Sequence, residues 1–147
     1  MPADAAHYLN NYCLRLPETD AEWQSYHGIR RRVFHLPRPE VDQSPDSYPL
    51  VFFLEDRVIG AIQVDKLGQE AVALRLVAID PGYQGGGHGR IMLRQAEAFA
   101  RDLGVAQAVV YATPEAAGFY AESGYDEEDW DPVCCMGGIV QMLKRLG

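Results

Sequence analysis

Five glycines, Gly82, Gly85, Gly86, Gly87 and Gly89, fall within eight positions, between an apolar segment and an amphipathic one. Glycine takes positive φ readily and lets backbone N–H groups approach a ligand with no side chain in the way. Such N–H groups, backed by a helix N-terminus, form an anion site suited to a phosphate or pyrophosphate. Spacing excludes two phosphate loops: no three of these glycines have the G-x-G-x-x-G spacing of dinucleotide sites, and no Gly-Lys-Ser/Thr follows. What remains is Gln84-x-x-Gly87-x-Gly89, preceded by Val77-Ala78-Ile79-Asp80-Pro81.

The surrounding pattern supplies elements to hold this loop. Residues 71–79, rich in Val, Leu and Ile, are too apolar to have one wet face and read as a strand at the sheet centre. After the loop at 80–87 a helix is predicted to Leu103, with Met92, Ala96, Phe99, Ala100 and Leu103 as its apolar stripe. Arg90, Arg94, Glu97 and Arg101 fall on its polar face, and Gly104 ends it. Residues 105–111 form a short apolar strand; Thr113-Pro114 then opens a helix with threonine as N-cap, and Gly124 closes it. Upstream, a strand is predicted over 12–16, a helix over 19–34, and a hairpin of strands 50–55 and 57–65. A last strand falls within 133–146, with a bulge or turn at Cys134–Gly138. The four prolines within residues 37–49 exclude a continuous helix or central strand there and mark a long loop. The order is strand, helix, hairpin, central strand, glycine loop, helix, strand, helix, strand: one α/β domain over 1–147 with a mixed sheet, not a doubly wound fold.

The Gln84–Gly89 pattern resembles the acyl-CoA signature of the GNAT superfamily, [Q/R]-x-x-G-x-[G/A], down to the apolar triplet and x-Pro before it. A second segment, Ala116-x-x-Phe119-Tyr120-x-x-x-Gly124-Tyr125, resembles that superfamily's A-x-x-F-Y-x-x-x-G-[F/Y] motif and falls on the expected helix. The resemblance is clear over residues 50–125. It implies a GNAT-like mixed, mostly antiparallel sheet with helices on both faces and splayed central strands. It also implies acetyl-CoA as acyl donor and direct attack by an amine acceptor, with no metal and no cysteine nucleophile. Loop residues Gln84, Gly85, Gly86, Gly87, His88 and Gly89 would take the pyrophosphate, and Arg90 or Arg94 could reach a phosphate. Backbone groups of Val77, Ala78 and Ile79 would pair with the pantetheine arm, one N–H stabilising the oxyanion of the attacked thioester. Acetyl transfer expels a thiolate; Tyr120, protonated at neutral pH, is the candidate general acid to that sulfur. Phe119, about 100° further round the helix, is expected to face elsewhere, in the core.

Two departures from the superfamily's pattern matter. Thr113 stands where many members have an asparagine that helps hold the cofactor. No carboxylate lies between Glu70 and Asp80, although many members carry a glutamate base on this strand. The base is then a water chain, Glu55, Asp65 or His35, or solvent alone. These departures keep an alternative in view, a non-catalytic acyl-CoA-binding sensor or partner module. The N-terminal half resembles the superfamily only through Ile29-Arg30-Arg31-Arg32-Val33-Phe34, so the acceptor (small molecule, antibiotic, polyamine or protein) is left open.

Composition narrows the class further. The 147 residues carry a formal charge of −8, which argues against nucleic-acid and polybasic membrane partners and mildly favours a cationic acceptor. The acidic run Asp126–Asp129 with Asp131 reads as a solvated turn, and Trp130 within it as a cover for a cleft or a dimer contact. Three cysteines, two of them adjacent (Cys134-Cys135), suit reduced structural thiols and a cytoplasmic setting rather than a disulfide framework or zinc site. Neither a signal peptide nor a membrane span is visible. A homodimer is expected on the resemblance alone. Gly118, inside the second motif's helix, is expected to mark close approach to the cofactor or a neighbouring strand, or plain tolerance.

Overall fold

The computed structural model describes residues 11–35, 45–132 and 137–147. Its elements run β1 (Tyr12–Arg15), α1 (Asp20–Phe34), β2 (Ser47–Leu54), β3 (Arg57–Leu67) and β4 (Ala71–Ile79), then a 3₁₀ turn (Pro81–Tyr83). There follow α2 (His88–Asp102), β5 (Gln107–Ala112), α3 (Pro114–Glu122), β6 (Asp126–Glu127) and β7 (Val140–Arg145). The strands form one sheet in the order β1-β2-β3-β4-β5-β7-β6. Every pairing is antiparallel except β4 with β5, so the sheet is mixed and mostly antiparallel. Cys134 and Cys135 and most of the proline-rich stretch lie outside the described residues.

Two irregularities in the sheet make the site. The parallel ladder between β4 and β5 covers only Ala71–Ala73 against Gln107–Val109. Beyond it β4 stays with β3 as far as Ile79 while β5 stays with β7 as far as Ala112, so the two central strands splay. Within the splayed part, Gln63 faces Arg75 and Ala61 faces Ala78, so Leu76 and Val77 together oppose Ile62. That two-against-one count is a β-bulge, and Leu76 takes φ 53 to make it. A leucine in this left-handed region costs on the order of 1–2 kcal/mol, which surrounding pairing must offset.

Helices cover both faces. On one side α1 packs Tyr26 and Ile29 on Val51, Phe53, Ala61 and Ala78. On the other, Met92, Leu93, Ala96 and Ala100 of α2 and Tyr120 of α3 complete a core with Phe52, Ile62, Val64, Leu74 and Val110. Thr19 caps α1 by accepting from the Glu22 N–H, and Thr113 caps α3 by accepting from the Ala116 N–H, the second as its position before Pro114 predicts.

Several expectations shift. Strand β2 starts at Ser47 and so contains Pro49, paired opposite Gln63. β1 pairs only with Val51–Leu54, so the missing proline N–H falls where β2 is a sheet edge. Glu97, expected on the polar face of α2, is only 2% exposed. Its two oxygens accept from the Tyr125 hydroxyl (2.8 Å) and the Lys144 ammonium (2.9 Å), which is what makes a buried carboxylate tolerable. The acidic run is not wholly a turn, since Asp126 and Glu127 form β6 against β7. A Cβ added at Gly118 would meet nothing within 4 Å, so no neighbouring strand among the described residues requires that glycine.

Candidate active site

The splay opens a cleft that continues across the sheet as two adjoining cavities. One, of about 590 Å³, lies at the glycine loop and is lined by Val77, Ile79, Gln84, Gly85, Gly87, Gly89, Arg90 and Phe119, among others. The second, of about 570 Å³, opens towards α1 between Gln63, Arg75, Leu76, Tyr111 and Arg30. Val77, Ala116 and Tyr120 line both. The bulge residue and the helix tyrosine thus stand where the two spaces meet.

On the loop side, Gly85 and Gly87 adopt φ 85 and φ 83, conformations open to glycine but strained for other residues. Gly87 is the N-cap of α2, and no side chain caps that helix end. Among the described residues no backbone carbonyl accepts from the N–H groups of Gly85, Gly86 or Gly87. Donors, a helix N-terminus and open space therefore coincide, which is the chemistry a pyrophosphate requires. Gln84 turns its side chain inward: Nε2 donates to the Ile79 carbonyl at 2.9 Å and ties the loop to the end of β4. Asp80 is held by Arg32 at 3.1 Å, so α1 also braces the turn.

Tyr120 is 7% exposed, and burial alone pushes its phenol up to about 12. None of the described residues hydrogen-bonds its hydroxyl, which leaves a protonated donor facing the junction. Its ring is fixed edge-on by Phe119 and Tyr125 at 5.1 and 5.7 Å.

Not every candidate from the sequence arrives at the cleft. Ala78 lines neither cavity; it is buried and packs against α1. Gly86 and His88 are absent from the loop-side lining, and His88 Nδ1 instead meets the Tyr12 hydroxyl at 2.8 Å. Thr113 lines the α1-side cavity, with its hydroxyl engaged as the α3 cap. Arg90 reaches the loop-side cavity but is paired with Glu122 at 3.3 Å; Arg94 does not line it. Phe119, expected in the core, packs against it and also forms part of the loop-side wall, 3.5 Å from where a Cβ on Gly89 would stand. Of the three side chains considered as base, none lines the α1-side cavity. Asp65 comes nearest, one shell behind, where it accepts from Ser47, Gln63 and Arg75.

Other cavity-lining residues went unrecognised in the sequence. Leu76 gives no sign of its bulge, because a left-handed leucine follows from strand register and not from residue type. Gln63, Arg75 and Tyr111 read only as members of their strands. Tyr111 donates to Asp131 at 2.6 Å and packs its ring 4.8 Å from Trp130. Burial and the Asp131 carboxylate push its phenol up to about 12. Trp130 rests on Ala73, Val109 and Leu143, so it covers the sheet beside the cleft. Among the described residues no cluster of His, Cys, Asp and Glu could hold a metal ion, and no helix is long and apolar enough to cross a membrane.

A splayed β4–β5 pair, a bulge beside it and an uncapped glycine-loop helix define an acyltransferase fold with a two-ended cleft. The acetyltransferase (GNAT) family model matches residues 11–125, and the chain belongs to that family. Solved structures share the fold at low identity. A Lactobacillus plantarum protein to which N-acetyltransferase activity is attributed superposes with a TM-score of 0.76 at 22% identity, over 94% of this chain and 100% of that one. The Vibrio cholerae spermidine N-acetyltransferase, in complex with CoA and spermine, gives 0.73 at 16% identity over 93% and 96% of the two chains. An Escherichia coli ribosomal-protein alanine N-acetyltransferase gives 0.72 at 17% over 92% and 94%. Those two named acceptors differ widely, so the fold does not select the amine.

Proposed function

We propose that this chain, acting as one domain, is an N-acetyltransferase that moves the acetyl group of acetyl-CoA to a primary amine by direct attack. The observation that carries the reading is the meeting of two cavities at Tyr120 and Val77. One end offers backbone donors for a pyrophosphate, the other a walled space for an acceptor, and a buried phenol stands between them. Acetyl-CoA supplies an activated thioester.

The roles of the chain's own groups follow. N–H groups from Gly85 to Gly89 and the α2 N-terminus hold the pyrophosphate, while Gln84 keeps the loop closed onto β4. Open backbone edges of Val77 and Ile79 in the splay pair with the amide-bearing arm. The N–H at the bulge is directed at the thioester oxygen, where negative charge develops. Tyr120 donates a hydrogen bond to the sulfur as the C–S bond breaks, and burial keeps it protonated throughout the working pH range. With no carboxylate among the described residues lining the α1-side cavity, the acceptor enters as the free amine, and its proton leaves through water.

The same lack of a lining carboxylate also suits a protein that binds acyl-CoA without transferring it. Release of free thiol from acetyl-CoA, saturable in an added amine, decides between the two. Tight acetyl-CoA binding without thiol release across a broad panel of amines would overturn the transfer reading.

A further inference from the structure

Gln63 lines the α1-side cavity and is 7% exposed, yet one of its polar atoms is open. Its Nε2 donates to both oxygens of Asp65, at 3.0 and 3.1 Å. That contact fixes which way the amide points, because a carboxylate accepts from the nitrogen and repels the oxygen. Oε1 is thereby turned away from Asp65, has no hydrogen-bond partner among the described residues, and is not sealed from solvent. Since the rest of the side chain is buried, the opening that Oε1 keeps is the cavity it lines. Asp65 also accepts from Ser47 and from Arg75 Nε, the latter at 3.1 Å, so the carboxylate that orients the amide is itself held. Buried amide oxygens are ordinarily paired. An open one, fixed in the wall of a cleft, has the character of a binding group.

We propose that Gln63 Oε1 accepts a hydrogen bond from an N–H of the incoming amine and so aims the nitrogen lone pair at the thioester. The inference rests on the acetyl-transfer reading and adds a residue that touches the acceptor at the same site. Position supports the role. Gln63 is paired across the ladder with Arg75, the residue before Leu76 and Val77, which line the same cavity. Opposed residues of antiparallel strands stand about 5 Å apart, so the amide oxygen and the bulge serve one small volume. Charge supports it too. The nitrogen becomes positive as its lone pair forms the C–N bond, and an amide polarised by the Asp65 carboxylate is a stronger acceptor for that N–H. The C–S bond breaks with its electron pair going to sulfur, and the nitrogen's surplus proton goes to water. Gln63 takes no proton, because an amide oxygen accepts hydrogen bonds without being a base at neutral pH. Asp65 acts through Gln63 and is a positioning residue.

The experiment follows thiol release from acetyl-CoA with methylamine, ethylamine, benzylamine, lysine and spermidine, and without amine. Gln63→Met nearly keeps the volume and removes the acceptor oxygen. It should lower kcat/KM by about tenfold or more for every amine the protein uses. The factor should be the same for each amine, because the lost contact is with the reacting nitrogen and not with its side group. Acetyl-CoA affinity and amine-independent thiol release should stay within about twofold, which a general loosening of the fold would not spare. Asp65→Asn removes the polarising charge and should lower the same constants about threefold, again uniformly, which tests the role if Gln63→Met does not fold. Unchanged amine use in either folded variant overturns the proposal. So does a loss confined to amines with one kind of side group.

Calorimetry on the CoA-loaded protein with the same five amines separates this proposal from the one beneath it. Amine binding that Gln63→Met weakens, with no thiol release from any amine, supports the contact at Gln63 and overturns transfer. Thiol release that both substitutions leave intact supports transfer and overturns the contact. Amine binding that neither substitution changes, with no release, overturns both, and so does the absence of binding and release together.

Discussion

Replacing Tyr120 with phenylalanine removes one oxygen at the junction of the two cavities, and the structure gives the size of the effect. The hydroxyl has no hydrogen-bond partner among the described residues, so its loss strands no buried group. The ring keeps its contacts with Phe119 and Tyr125. Stability should therefore change by less than about 0.5 kcal/mol, and CoA affinity by less than about twofold. Catalysis should change much more. General acids contribute roughly 10²–10⁴ in rate, or about 3–5 kcal/mol of barrier. The lower end applies here: a phenol raised to about 12 is several units weaker as an acid than a thiol of about 8.5, so full proton transfer to sulfur is uphill. On the proposed mechanism Tyr120 donates a hydrogen bond while charge develops, so kcat should fall about a hundredfold in Tyr120→Phe.

A thiol-release assay with a saturating amine reads kcat, and calorimetry reads CoA binding in parallel. Because the phenol stays protonated below about pH 10, the ratio of wild-type to variant rate should be constant from about pH 6 to 9. Undiminished turnover would remove Tyr120 from the mechanism. A ratio that changes steeply within that window would refute the elevated phenol.

Gly118→Ala should raise stability by up to about 1 kcal/mol, read as a higher Tm, because the site is an exposed helix interior with open space around it. Glu97→Ala should cost about 3 kcal/mol by denaturant unfolding, since it leaves Lys144 and the Tyr125 hydroxyl without their shared carboxylate. Gly87→Ala should cost about 1–2 kcal/mol at φ 83 and, by distorting the α2 entrance, weaken CoA binding more than amine binding. Tyr26, Tyr111 and Tyr120 are all raised to about 12 in the fold against about 10 unfolded, so the folded state holds more protons across that window. Stability should be intact below about pH 10 and fall as pH rises towards 12, which melting curves at graded alkaline pH would check.

What could be read from the sequence was what repeats locally. Thr19 and Thr113 announce helix starts because a cap needs only one side chain and the next three residues. The Gln84–Gly89 loop is legible for the same reason: its job is done by backbone, and glycine is the visible trace of backbone exposed to a ligand. Glu97 was misplaced because its partners, Tyr125 and Lys144, are 28 and 47 residues away, and helical periodicity cannot see them. Leu76 was missed because a bulge belongs to the register between β3 and β4. The α1-side wall was hidden more thoroughly still, assembled from Arg30, Gln63, Arg75 and Tyr111 on four separate elements.

That division between local and long-range signals also separates the two ends of the cleft. The loop end presents main-chain donors, which any sequence of the right pattern can supply. The α1 end is made of side chains brought together only by folding, so its residues answer to the particular amine received. A net charge of −8 therefore says little about that amine: Asp126, Glu127, Glu128 and Asp129 are exposed, and among the described residues no Asp or Glu lines the α1-side cavity.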